Sequence, residues 1–131
     1  PNWRKRVRPA AGDISAVGQA LAQVDLADTL FAPAGALSGG QQQRASVARA
    51  LFNGRPVVIG DEPVSALDRV QAADILQKIC AGHGTAILAL HDIPLALAHT
   101  DRIVVIDAGR IVLDAASRTL SPADLIPYYG G

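Results

Sequence analysis

The sequence predicts an α/β fold in which a mostly parallel sheet is flanked by helices. Two short apolar runs, residues 57–60 and 85–90, enclose a segment with helical periodicity. Nearly continuous apolar strands between helices are typical of buried strands in parallel sheets that are covered on both faces. The chain has 131 residues, half of them hydrophobic and few of them aromatic, so it can form one aliphatic core.

The first part of the chain is predicted to be helical and then irregular. Residues 15–30 carry apolar side chains at roughly helical spacing and predict one or two short helices. Residues 31–36 contain proline and glycine and predict a loop. This loop leads into a longer amphipathic pattern.

A helix is predicted directly after Gly39 and Gly40, with Ser38 as its N-cap and Gly54 at its end. Its apolar side carries Val47, Ala48, Leu51 and Phe52. The free N–H groups and the positive dipole end of such a helix start can hold an anion, and glycines let a phosphate approach closely. The same pattern is also typical of an ordinary capped turn, so the chemistry alone leaves both interpretations open.

Further helices and a hairpin are predicted in the second half. Asp68 is the expected N-cap of a helix whose inner face is formed by Val70, Ala73, Leu76, Ile79 and Cys80. Asp92 is expected to cap a third helix. Residues 103–106 and 111–113 flank a turn-like tetrapeptide and predict an edge hairpin, and Ser121 precedes a last short helix.

Ionisable side chains follow both predicted parallel strands. Asp61 and Glu62 come at the end of the first strand, and His91 at the end of the second. Parallel strands would bring all three side chains to the edge where open α/β sheets bind their ligands. An isolated Asp-Glu pair can equally begin a loop, and His91 can equally help to cap a helix. These residues alone leave the two interpretations open.

Four motifs in a fixed order change that balance. Residues 37–44, Leu-Ser-Gly-Gly-Gln-Gln-Gln-Arg, resemble the signature motif of ATP-binding cassette (ABC) ATPases. Residues 57–63 resemble a Walker B strand with its catalytic glutamate, residues 65–68 match the D-loop, and His91 stands where the family keeps its switch histidine. The resemblance implies the P-loop NTPase (ABC ATPase) fold, with ATP and Mg²⁺ as ligands.

The chemistry assigns roles to the three residues at the sheet edge. A carboxylate at a strand end can hold Mg²⁺ through water, and Asp61 is the candidate for this metal site. Glu62 is the only glutamate in the chain and is the candidate general base for the attacking water. His91 would hydrogen-bond the γ-phosphate or hold that water in line, as a neutral imidazole can near pH 7.

No Gly-x-x-x-x-Gly-Lys-Ser/Thr motif occurs in the sequence, so the phosphate-cradling loop of the family is missing from these residues. We therefore interpret the chain as an N-terminally truncated ATPase domain. Residues 1–53 would be the remnant of a helical subdomain with the signature motif, and residues 54–131 the C-terminal part of the α/β core. We expect the isolated chain to be inactive in ATP hydrolysis.

The resemblance also implies partners and a location. ABC ATPases sandwich two ATP molecules between head-to-tail subunits, so Ser38, Gly39, Gly40 and Gln41 would cover nucleotide held by a second ATPase subunit. Asp68 would make contacts across that interface. Transmembrane permease subunits and, indirectly, a solute-binding protein complete the implied assembly, at the cytoplasmic face of the cell membrane.

Three functional interpretations belong to different classes. The glutamine-rich signature and the tail at residues 121–130 look most like phosphonate-type importers of bacteria. A non-transport ABC ATPase and a noncatalytic interaction fragment are the alternatives. The zero formal charge argues against a nucleic-acid partner. The basic cluster at residues 4–8 is either a solvated chain end or a contact with lipid headgroups or a membrane subunit.

Overall fold

The computed structural model describes residues 11–128. The basic cluster at residues 4–8 and the end of the tail at residues 129–130 lie outside this range. The chain divides into two compact units, with the boundary in the sequence between Gly54 and Arg55, and each is described by itself. Within residues 11–128, no helix combines the length and the apolar character needed to cross a membrane.

The first unit is helical, as the sequence predicts. It contains α1 (Ala11–Ala22), two single 3₁₀ turns (Ala27–Thr29 and Ala34–Ala36) and α2 (Gly39–Asn53). Its buried apolar side chains are Ala20, Val24, Leu26, Val47 and Ala48. The signature residue Arg44 ties α2 to the turn after α1, because its Nη1 donates to the carbonyl of Val24 at 3.2 Å.

The second unit is α/β. Its elements are β1 (Val57–Asp61), α3 (Arg69–Gly82), β2 (Thr85–Ala89), α4 (Ile93–His99), β3 (Arg102–Asp107), β4 (Arg110–Ala116) and α5 (Pro122–Leu125). Strands β1 and β2 pair in parallel, and β3 and β4 form the predicted antiparallel hairpin. Two single 3₁₀ turns, Ser117–Thr119 and Ile126–Tyr128, flank α5.

The expectation of a sheet covered on both faces is wrong for β1 and β2. Val57, Ile59 and Ile87 are 51%, 78% and 57% exposed, although they lie in the two most apolar strands. Alternation places these three side chains on one face, because Ile59 pairs directly with Ile87. We call this face the bare face. In the described part of the second unit, α3 packs against β2, and nothing covers the bare face.

The predicted inner face of α3 is partly wrong. Leu76 and Ile79 are buried as expected, but Val70 is 80% exposed. The buried stripe consists of Ala72, Ile75, Leu76 and Ile79, which are spaced as one helical face. Val70 lies off this stripe in the first turn, because two residues of helix turn a side chain more than halfway round the axis.

The hairpin provides a test of acid stability. Arg102 donates to both carboxylate oxygens of Asp114, at 2.6 and 2.5 Å, and these hydrogen bonds hold the pKa of Asp114 below its usual value. A lowered folded-state pKa stabilises the fold above the unfolded-state pKa of about 4, and this contribution disappears as the pH falls through the lowered pKa. We expect the melting temperature to fall in that window, and to fall less in Asp114→Asn. Identical acid profiles for the two proteins would contradict this.

Candidate functional site

The parallel pairing of β1 with β2 brings two predicted site residues together. Asp61 pairs with Ala89, so Glu62 and His91 follow neighbouring strand ends. The N–H of Glu62 donates to the carbonyl of Ala89 at 3.0 Å, which holds the chain at the point where β1 ends. His91 Nδ1 lies 3.3 Å from Glu62 Oε1. The structure therefore places the predicted base and the predicted switch histidine within contact of each other.

The backbone at Glu62 has an unusual conformation that sets the direction of its side chain. Its φ angle is +43°, in the left-handed region that non-glycine residues seldom adopt. The turn is held by the N–H of Ser65, which donates to the carbonyl of Glu62 at 3.3 Å. Such conformations cost of order 1–3 kcal/mol and are concentrated at functional sites.

Asp61 is the last residue of β1. It ends β1 in the same alternation as Val57 and Ile59, so its exposed carboxylate lies on the bare face. Residues 11–128 contain no cluster of three His, Cys, Asp or Glu side chains that could bind a metal by itself. Mg²⁺ commonly takes one or two carboxylates, several waters and substrate phosphates. A single exposed carboxylate fits a magnesium site that nucleotide phosphates and water complete.

The D-loop is tied to the site by consecutive turns. The N–H of Leu67 donates to the carbonyl of Val64 at 3.1 Å, and the Val64 side chain is buried. Asp68 then caps α3, because its Oδ1 accepts from the N–H groups of Val70 and Gln71 at 3.0 Å each. The start of α3 is therefore fixed with respect to Glu62.

A cavity of about 110 Å³ lies beside the Glu62–His91 pair. It is lined by Glu62, Val64, Ser65, Leu67, Arg69, Ala72, Leu90, His91, Asp92 and Leu95. Pockets for small molecules usually measure about 300–1,000 Å³, so these residues form one wall of a nucleotide site and do not enclose it.

Arg69 is a cavity residue that the sequence reasoning missed. It is the first residue of α3 and follows the D-loop aspartate directly. Among the described residues that line the cavity, it is the only arginine or lysine. The sequence contained one feature that could have identified Arg69. It directly follows Asp68, the predicted capping residue of α3, and therefore lies close to any site that the D-loop borders.

The signature residues lie in the first unit, at the start of α2. Ser38 Oγ accepts from the N–H of Gln41 at 3.3 Å, and Gln41 Oε1 accepts from the N–H of Ser38 at 2.8 Å. This capping box occupies the Gln41 side chain within the turn. Gly39 and Gly40 form the first helical turn, so their N–H groups have no acceptor inside the helix. A Cβ built at Gly39 would meet nothing within 4 Å, so its backbone is open to approach.

Comparison with known proteins points to one family. The profile of the family described as "ABC transporter" matches residues 4–65. The phosphonates import ATP-binding protein PhnC of Thiobacillus denitrificans is 41% identical over 121 residues, covering 89% of this chain and 47% of that protein. Its namesake from Pseudomonas fluorescens is 44% identical over 113 residues, covering 83% and 43%. The chain thus spans about half the length of these relatives.

Solved structures agree on the fold. An ATP-binding cassette of an ABC transporter in its ADP conformation superposes with a TM-score of 0.76 at 22% identity, covering 98% of this chain and 54% of that one. A dimeric cassette in a post-hydrolysis state, bound to ADP and phosphate, gives a TM-score of 0.75 at 27% identity, covering 87% and 51%.

Proposed function

Because this chain belongs to the ABC transporter ATPase family, we propose that it forms the part of an ATP-hydrolysing importer subunit that carries the signature, Walker B and switch residues. Glu62 and His91 in contact at adjacent carboxyl ends of parallel strands are the observation that carries this proposal. The relatives named as phosphonate import proteins support a phosphonate-like solute.

In the proposed reaction, Glu62 removes a proton from the water that attacks the γ-phosphorus of ATP. An ionised Glu62 accepts from His91 Nδ1, so a neutral imidazole keeps Nε2 as an acceptor that can hold the attacking water. A protonated His91 would instead donate from Nε2 to the γ-phosphate. In both cases the Glu62 contact orients the ring. Positioning and charge neutralisation are the main requirements of phosphoryl transfer to water.

Asp61 would hold Mg²⁺ through water, and the bound metal would neutralise charge on the phosphates. Its carboxylate lies on the bare face, whereas Glu62 lines the cavity, so the nucleotide phosphates would lie where these two surfaces meet. The phosphate-cradling loop would have to arrive from residues other than these 131. The bare face would give the segment that carries this loop an apolar surface on which to pack.

The signature turn would act on a neighbour. Ser38, Gly39, Gly40 and Gln41 would cover ATP held by a second ATPase subunit in a head-to-tail dimer. Free N–H groups at a helix start suit a γ-phosphate. Asp68 would contribute across the same interface. At the cytoplasmic face of the membrane, transmembrane permease subunits would respond to the closing and opening of this dimer. A solute-binding protein would be an indirect partner, through the permease.

An assembly experiment tests this proposal. The chain is mixed with the segment of the Thiobacillus denitrificans relative that lies outside the matched region. We expect the mixture to hydrolyse ATP and the chain alone to show no turnover above a Glu62→Gln control. Ile59→Asp should abolish ATP hydrolysis by the mixture, because it places a charge in the centre of the bare face without disturbing a buried position.

Ile126→Asp is the matched control, since Ile126 is also exposed and lies away from β1 and β2. It should assemble and turn over ATP like the wild type. Binding of the two segments without turnover would instead favour a noncatalytic interaction fragment, an alternative that the small open cavity supports.

A further inference from the structure

Arg69 lines the cavity that Glu62 and His91 also line. We propose that Arg69 binds the terminal phosphate that the Glu62-activated water attacks. This inference rests on the proposed function, and it adds a phosphate-binding residue outside the four motifs.

The position of Arg69 is fixed although its side chain is exposed. Asp68 caps the helix that Arg69 begins, and hydrogen-bonded turns connect Glu62 to Leu67. The backbone between Glu62 and Arg69 is therefore a short, internally bonded path. These local bonds keep the start of this helix close to Glu62.

The donors of Arg69 are available for a ligand. Within residues 11–128 its side chain has no hydrogen bond or ion pair. The aspartates at this end of the unit already serve as caps: Asp68 for α3, and Asp92 for α4 through a 2.9 Å bond from the N–H of Leu95. A guanidinium group presents five N–H donors in a planar fork that matches phosphate oxygens.

Charge balance at the cavity favours the same assignment. Glu62 and Asp92 line it as acids, and Arg69 is the only arginine or lysine among the described residues that line it. A phosphate entering beside two carboxylates needs a cation to offset repulsion. Preorganised cations that face developing negative charge are strong contributors to phosphoryl transfer.

The chemical step balances with Arg69 charged throughout. The water oxygen forms a bond to the γ-phosphorus, and the bond from that phosphorus to the bridging oxygen of ADP breaks. Glu62 takes the proton of the water, and ADP leaves with the bonding electron pair. Arg69 remains protonated and donates to the phosphoryl oxygens before and during the transfer.

The test uses the assembled protein, with turnover and nucleotide affinity measured separately. Arg69→Ala should lower kcat about 10- to 100-fold, the range expected for losing hydrogen bonds to a charged group. In a Glu62→Gln background, where ATP hydrolysis is slow enough for binding to be measured, Arg69→Ala should weaken ATP binding by a similar factor and leave ADP binding unchanged. Of the two nucleotides, only ATP carries the γ-phosphate that Arg69 is proposed to bind. Arg69→Lys should recover part of both losses, because it restores charge without the fork.

Arg118→Ala is the matched control, an exposed arginine without a bond among the described residues and away from the cavity. Equal behaviour of Arg69→Ala and Arg118→Ala in both measurements would overturn the proposal. An equal loss of ATP and ADP affinity would also overturn it, since that indicates a structural role. A wild-type assembly without turnover would refute the proposed function instead, and the affinity difference between ATP and ADP would still decide the role of Arg69.

Discussion

Glu62→Gln is expected to lower ATP turnover of the assembled protein about 10²–10⁴-fold, the usual contribution of a general base. The amide keeps the size of the side chain and can still accept from His91 Nδ1, which lies 3.3 Å from Glu62 Oε1. It cannot take a proton from water. ATP binding should therefore persist while hydrolysis slows by this factor, as equilibrium binding and single-turnover assays would measure side by side.

The control for this change is Asp74→Asn, which also converts a carboxylate to an amide. Asp74 pairs with Lys78 at 2.5 Å on the exposed side of α3, away from the cavity, so its turnover should equal that of the wild type. A Glu62→Gln protein with normal turnover would place the base elsewhere. A Glu62→Gln protein that no longer binds ATP would show that the change disturbed the left-handed turn and not the chemistry.

The capped helix starts were predictable because their signals are local. Ser38, Asp68 and Asp92 each accept a backbone N–H at the start of the helix that the sequence assigned to them. The meeting of Glu62 with His91 was predictable for another reason. Parallel strands separated by a helix end at the same edge, so two short apolar runs were enough to place both residues.

Burial was less predictable because it depends on what packs against each surface. The residues of the bare face have the composition of a buried strand, and only the surrounding structure shows that nothing among residues 55–128 covers them. The prediction that Val70 lies on the inner face of α3 was wrong for a related reason, since an apolar residue in a first helical turn can lie off the buried stripe. Arg69 was missed because its proximity to Glu62 arises from a folded turn and not from a motif.

The stability of the second unit depends on the buried stripe of α3, and Leu76→Ala tests that dependence. Leu76 is fully buried, with 0% exposure, and lies next to Ile75 and Ile79 on the same stripe. Truncation of such a leucine removes transfer free energy and leaves a cavity, which together cost about 2–5 kcal/mol. We expect a loss of this size in the free energy of unfolding, measured by urea denaturation.

Val70→Ala is the matched control on the same helix. Val70 is 80% exposed, so its truncation should change the unfolding free energy by no more than about 0.5 kcal/mol. Asp68 and Arg69 begin the helix that Leu76 anchors. Weaker packing of its buried stripe should therefore also make the D-loop and the cavity residues beside Glu62 more mobile. Equal stabilities for Leu76→Ala and Val70→Ala would mean that α3 is not packed on the core of this unit, and the fixed distance between the D-loop and Glu62 would lose its support.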